Sequence, residues 1–503
     1  MVRPLRESIV ESLKVSRREL RNSIYNVERN LVEHESNQWC LRAVIYSCLS
    51  CMGANLNHSM MISFFPKAMD ERGLSPIKIG ILFSIFHVSN LMMMFLVPKL
   101  NNQLGGIRVM ALGNLFQAIV TASMAFTRFF HNPKHFFIIC CILRFLQGSM
   151  TTFTESSASR ISMKGVPRNK QGEVISWLET FRVLGAVCGP VLGGAIYSLL
   201  GFTAPFIVSS TLLFSLFFVM IFYPMDARVD DKPDEEEEHG SGRAREGGFS
   251  STCRLFQSQL VHIVLISVLF LSAGISFIEP MFQPMTSESP YDLTPVELGA
   301  VYIICVLFFA TVSVRAGPML TEYLGSLFSL FSSFFLAGLA YLVIYPPEQF
   351  TGPLSIFAFL HQSNRDGALA LAQGGMTLLG ISSGLLLSPI NKILVSEGEG
   401  MVGLDMREHS INTSWILYTV YQMGAAIGPI SSGIMTHLFG LHKTCEVVGF
   451  SLLFLGCVVG IFISGVYVLR KICQFCCPSR RVGGGDTISL TSSLLEDDLS
   501  MLL

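Results

Sequence analysis

Five ionisable side chains stand inside apolar stretches of the chain: Arg144, Glu155, Glu179, Arg182 and Glu279. A charge placed in lipid costs about 2.5–3.5 kcal/mol on insertion scales, so each one needs a partner or a task. Glu179 and Arg182 are three residues apart, on one helical face, where they can pair with each other. Glu155 lies nearer the cytosolic end of its stretch. Glu279 is alone in the run S-F-I-E-P-M-F-Q-P, with no ionisable neighbour in its own span. A carboxyl group held away from water can exchange a proton near neutral pH, and it can also neutralise an ammonium group. Glu279 and Glu179 are therefore candidate proton or cation sites, with Arg144 as an electrostatic modulator and Arg182 beside them.

Neutral polar residues in the same stretches could supply hydrogen bonds to a solute: Asn55, Asn57, His58, Gln147, Tyr418 and Gln422. Each is as readily explained as a hydrogen bond between helices. His58 and His87 titrate in a useful range, but a lone histidine in a span is more often structural. No aromatic cage is visible, and no metal centre or cofactor is expected. The cluster Cys473, Cys476 and Cys477 has no second CxxC or His pair to complete four ligands. Its place just after the last apolar run fits S-palmitoylation instead. With no phosphate loop or nucleophile elbow either, the chain does not read as an enzyme. A net charge of −1 gives nucleic acid nothing to bind.

The elements that carry these residues are set by composition. Half of the 503 residues are hydrophobic and only 14% are charged, against roughly 25% charged in soluble domains. Apolar runs long enough to cross a bilayer fall near 43–65, 77–97, 107–127, 136–159, 174–199 and 203–223. Six more follow near 260–284, 297–316, 326–345, 367–394, 410–437 and 445–469. Only backbone that satisfies its own hydrogen bonds can cross lipid, so these are helices. The expected architecture is an all-α membrane protein with twelve transmembrane helices in two pseudo-symmetric six-helix bundles, 41–225 and 259–470. The segment 226–258, with Asp234 followed by four glutamates, reads as an acidic cytosolic linker. Residues 1–40 and 471–503 read as cytosolic tails, with no cleavable signal peptide. Lys and Arg concentrate on the side of the termini, whereas the opposite loop 285–296 has no base at all. The positive-inside rule then puts both termini in the cytosol.

The halves repeat. Pro98–Gly105 (P-K-L-N-N-Q-L-G) and Pro318–Gly325 (P-M-L-T-E-Y-L-G) occupy the same slot of each half. The fifth span carries Gly185, Gly189, Pro190, Gly193 and Gly194; the eleventh carries Gly424, Gly428, Pro429, Ser432 and Gly433 at the same spacing. Small residues at such intervals let helices approach closely. A mid-span Gly-Pro in both halves also suggests helices that bend as the bundles move, with solute held between them.

At these residues the chain resembles the major facilitator superfamily over nearly all of 41–470. The loop repeats resemble its G-x-L-a-D-r-x-G signature, with departures: Pro98 and Pro318 replace the glycine, and the aspartate is Asn102 in one copy and Glu322 in the other. RFLQG, from Arg144 to Gly148, matches an R-x-x-Q-G motif of proton-coupled members, and the Gly-Pro run resembles the antiporter motif. LETF at 178–181, GFTAPFIV at 201–208, FIEP at 277–280 and FFPK at 64–67 are similar to the vesicular amine transporter family, nearest its polyamine branch. That resemblance implies exchange of lumenal protons for cytosolic organic cations. The aspartates that monoamine and acetylcholine carriers use in the first, tenth and eleventh spans are absent. A facilitator or symporter of neutral or anionic solutes, or a non-transporting receptor on the same fold, are the alternatives. The C-terminus, with Asp498 before Leu502 and Leu503, resembles a dileucine signal read by clathrin adaptors, which implies a vesicular or endolysosomal membrane, with the plasma membrane as the alternative.

Overall fold

The computed structural model describes residues 41–164, 171–223, 259–287, 289–347, 357, 359–360, 365–402 and 406–476. The linker, both tails, the dileucine residues Asp498, Leu502 and Leu503, and the side chains of Cys473, Cys476 and Cys477 lie outside the described residues.

The first half contains α1 (41–60), α2 (Pro76–Met94), α3 (Gly106–Phe126), α4 (Pro133–Lys164), α5 (Gln171–Leu200) and α6 (Thr203–Phe222). The second contains α7 (Gln259–Ser276), α8 (Pro295–Thr311), α9 (Ser326–Ile344) and α10 (Arg365–Val402). A final helical run, Met406–Cys476, turns back at Gly440, whose φ of 77° no helix tolerates, giving α11 (406–439) and α12 (441–476). Among the described residues eight stretches are long and apolar enough to cross a bilayer, one of which, Ile416–Phe462, contains the Gly440 reversal; α8 is apolar but shorter, as is most of α9, and α1 is not among them. To that extent the expected spans are met.

The helices start and stop where local chemistry dictates. Ser75-Pro76 opens α2 and Thr294-Pro295 opens α8, each with a proline in the first turn, where its missing N–H costs nothing. At α8 the cap is complete. The Thr294 hydroxyl accepts from the Glu297 N–H, and the Glu297 carboxylate accepts from the Thr294 N–H at 2.9 Å. Arg365, at the start of α10, then clamps that carboxylate at 2.7 and 2.8 Å. The loop repeats fold alike: Gly105 (φ 85°, ψ 142°) and Gly325 (φ 89°, ψ 153°) share a backbone conformation reserved for glycine, and each leads into the next helix. In the first copy Arg160 donates to Asn102 at 2.5 Å, a neutral acceptor in place of a carboxylate; Glu322 in the second is exposed.

Packing repeats with an interval of six helices. In the first half α2 lies on α4, and α3 on both α4 and α6; in the second α8 lies on α10, and α9 on both α10 and α12. Gly185, Gly189 and Gly193 of α5 sit against the α1 backbone at Met52, Leu56 and Met60, while Gly424 and Gly428 of α11 sit against α7 at Leu269 and Ala273. The bundles meet through two matched pairs, α2 with α11 and α5 with α8. The result is the pseudo-twofold arrangement of two six-helix bundles.

Candidate functional site

Where the bundles face each other, two polar layers stack along their helices. The inner layer centres on Glu279. Pro280 has no N–H to offer the Ser276 carbonyl, and α7 breaks at Phe277 before a short helix, Ile278–Thr286, resumes. Glu279 stands at that break. Across the bundle boundary, Nε2 of His87 on α2 lies 3.8 Å from Glu279 Oε2. The other ring nitrogen of His87 is 3.0 Å from Gln422 Oε1 on α11, and Gln422 Nε2 donates to the Tyr418 hydroxyl at 2.8 Å. His58 of α1 stacks on Phe86 with centroids 4.0 Å apart, and its ring is 5.5 Å from that of His87, edge to face. Tyr302, Tyr341 and Tyr421, from α8, α9 and α11, lie within electrostatic reach of Glu279.

Arg144 completes this layer. It is fully buried on α4 and donates to Gln147 at 2.9 Å, one helical turn on. The Met61 sulfur lies 3.2 Å from the same nitrogen, and the guanidinium rests over the rings of Phe83 and Phe86 at 5.2 and 5.0 Å. Its Nε and Nη2 have no hydrogen-bond partner among the described residues. Glu279 is close enough for its charge to act on Arg144.

The outer layer lies nearer the loops of Gly105 and Gly325. Glu155 accepts from Asn55 at 2.6 Å, while Arg182 pairs with Glu179 and donates to Ser159 at 3.0 Å. The charges of Glu155, Glu179 and Tyr418 all act on Arg182, so a residue of the second bundle reaches this cluster as well. Glu179 and Tyr418 are exposed although both sit within helices of the bundle boundary. Among the described residues, the cleft between the bundles thus reaches solvent at this end through Glu179 and Tyr418.

The opposite end is shut by backbone contacts. Gly80 of α2 faces the Pro429 carbonyl of α11, and Gly433 of α11 faces the Pro76 carbonyl of α2. The same exchange recurs between α5 and α8: Gly299 faces the Pro190 carbonyl, and Gly194 the Pro295 carbonyl. Beside them the Lys67 N–H donates to Gln283 at 2.5 Å, joining a short helix, Phe65–Asp70, to the Glu279 segment.

The structure therefore brings Glu279, Arg144, Gln147, Asn55, Glu179, Arg182 and Tyr418 to the bundle boundary. Asn57 is the exception. Its amide donates to Thr121 at 2.8 Å and accepts from Ser209 at 3.0 Å, so both ends are spent tying α1 to α3 and α6 inside the first bundle. These two bonds lie inside the first bundle, apart from the residues gathered at the boundary. Glu279, alone in its span, is also not alone in space. His58 and His87 come from two other helices, which no local spacing reveals, and the tyrosines within its electrostatic reach come from three more. A signal for the closed end was present: S-P-I-K-I-G at 75–80 and T-P-V-E-L-G at 294–299 are a third repeat, matched to the Gly-Pro runs they touch.

Over residues 47–402 the chain matches the Major Facilitator Superfamily. It is 24% identical over 455 residues to the human MFS-type transporter SLC18B1, covering 87% of this chain and 90% of that protein. It is 22% identical over 408 residues to the multi-drug resistance efflux pump PmrA of Streptococcus pneumoniae, covering 79% and 90%. Among solved structures, a bacterial homolog of the human lysosomal transporter Spinster, inward-facing and unoccupied, superposes with a TM-score of 0.63 at 11% identity, covering 91% and 98%. The nucleoside transporter NupG superposes with a TM-score of 0.61 at 13% identity, covering 84% and 99%. These two likenesses concern the fold alone.

Proposed function

The chain belongs to the major facilitator superfamily, and on that premise we propose that it exchanges protons for a small organic cation, an amine or polyamine, by alternating access. The observation that carries this reading is the Glu279 carboxylate, placed at a helix break and facing His87 of the other bundle at 3.8 Å. An ionisable pair split between two moving bodies is a means of linking protonation to their relative position. The Glu279 carboxylate supports a cationic solute, since a buried carboxylate can neutralise an ammonium group. Glu179, exposed in the outer layer, would meet the cation first.

Purified protein in proteoliposomes with an acid interior should accumulate a polyamine, and Glu279→Gln should abolish the pH-driven part. Unchanged uptake by Glu279→Gln would remove that residue from the mechanism. A second reading, a facilitator or symporter of a neutral or anionic solute, is favoured by the unpartnered Nε and Nη2 of Arg144. Uptake indifferent to an imposed pH gradient would select it.

We place the protein in a vesicular or endolysosomal membrane with both termini cytosolic, on the strength of Asp498, Leu502 and Leu503 and of the Lys/Arg distribution. Replacing Leu502 and Leu503 together by alanine should shift a tagged protein to the cell surface. An unaltered distribution would dismiss clathrin-adaptor sorting by this motif.

A further inference from the structure

Three polar atoms at the bundle boundary lack any hydrogen-bond partner among the described residues: Nδ1 of His58, Nε2 of His87 and Oε2 of Glu279. All three are buried, and an orphaned buried polar atom is costly unless something else satisfies it. One ligand atom from each residue lies within 4.8 Å of the others, and His87 and Glu279 are already at 3.8 Å. Ligand atoms on one tetrahedral zinc ion are about 3.3–3.5 Å apart, so side-chain adjustments on the order of 1 Å would close the set. This is the one such group among the described residues.

We propose that His58, His87 and Glu279 form a binding site for a divalent transition-metal cation of the zinc class, one that bridges the two bundles. The supporting shell has the form such sites need. Gln422 Oε1 faces Nδ1 of His87 at 3.0 Å; if it accepts that proton, Nε2 keeps its lone pair and the ring is held toward Glu279. Phe86, stacked at 4.0 Å, fixes the plane of the His58 ring. Two imidazoles and one carboxylate favour a borderline metal over calcium or magnesium, which take six or more oxygens. Arg144 brings a positive charge near the same place, with Glu279 the carboxylate that answers it. The metal must therefore be held by strong imidazole bonds rather than by net charge. Because His58 and His87 belong to the first bundle and Glu279 to the second, an occupied site clamps the bundles in the arrangement seen here and halts exchange.

The test is calorimetric titration of the full chain in detergent with Zn²⁺, after Cys473, Cys476 and Cys477 are changed to serine to silence the tail thiols. One saturable ion per chain is expected, with affinity lowered at least tenfold in His58→Ala, in His87→Ala and in Glu279→Gln, and no competition from Mg²⁺. Co²⁺ added to the chain with its triad intact should give visible d–d absorption that Zn²⁺ abolishes, a readout that survives if the triad variants fail to fold. Absence of that absorption, or equal binding by all three variants, overturns the proposal. Neither measurement involves flux, so failure of the transport reading would leave this result standing and separately interpretable.

Discussion

Glu279 owes its place to the proline that follows it. Without Pro280, nothing would stop α7 from running on through Phe277, and the carboxylate would rotate with the regularised helix. Pro280→Ala should leave thermal stability equal or slightly higher while lowering pH-driven uptake at least tenfold, checked by a melting curve alongside proteoliposome flux; flux at the unsubstituted level would show that the break is incidental. Asn57 makes the opposite case. Asn57→Ala strands two buried hydroxyls, Thr121 and Ser209, at a cost of roughly 1–3 kcal/mol. A lower melting temperature is expected with the solute KM unchanged, and a selective rise in KM would return Asn57 to the binding site. Both asparagines of α1 looked alike in sequence, because Asn55 and Asn57 are polar residues two apart in an apolar run. They part company in the fold: residues two apart point about 160° away from each other around a helix, one toward α4's Glu155 and the other toward α3 and α6.

Elements are held together by glycines of two kinds, which the sequence repeat alone cannot separate. Gly189 sits inside a bundle, where an added Cβ would run into Ser59 and the Met60 backbone of α1. Gly194 and Gly433 sit between bundles, against the carbonyls of Pro295 and Pro76. Gly189→Ala should therefore lower the melting temperature of the whole protein. Gly194→Ala combined with Gly433→Ala should instead weaken the closed end while leaving each bundle intact. A cysteine introduced in the 127–132 loop region would not report on this; one at Gln283, buried where the bundles join beside these contacts, should become accessible to a membrane-impermeant thiol reagent from that side. Protection as strong as in the unsubstituted chain would mean that these contacts do not hold the end shut. The close approach of helix to helix was legible in G-x-x-x-G-P. Which partner each glycine meets was not, because that depends on how two distant repeats, T-P-V-E-L-G and the Gly-Pro run, come together in space.

At the scale of the molecule, the twofold contact pattern was the most legible feature, since duplicated loops at Gly105 and Gly325 and duplicated Gly-Pro runs demand duplicated bundles. The polar cleft was legible only in part. Insertion cost singles out Arg144, Glu179, Arg182 and Glu279 wherever they fall in an apolar run; His58 and His87, each read singly, pass as structural histidines, and their convergence on Glu279 depends on how separate helices pack. Proton-driven exchange requires two bundles that move about this cleft in response to protonation. Pulsed electron resonance distances between spin labels at His131 and Lys443, on the closed end of the first and second bundles, test it most directly. In lipid nanodiscs, changing the pH and adding a polyamine should redistribute the population between a short distance, matching the closure described above, and a longer one, and Glu279→Gln should lose the pH response. A single distance unmoved by pH, polyamine or that substitution would contradict the account.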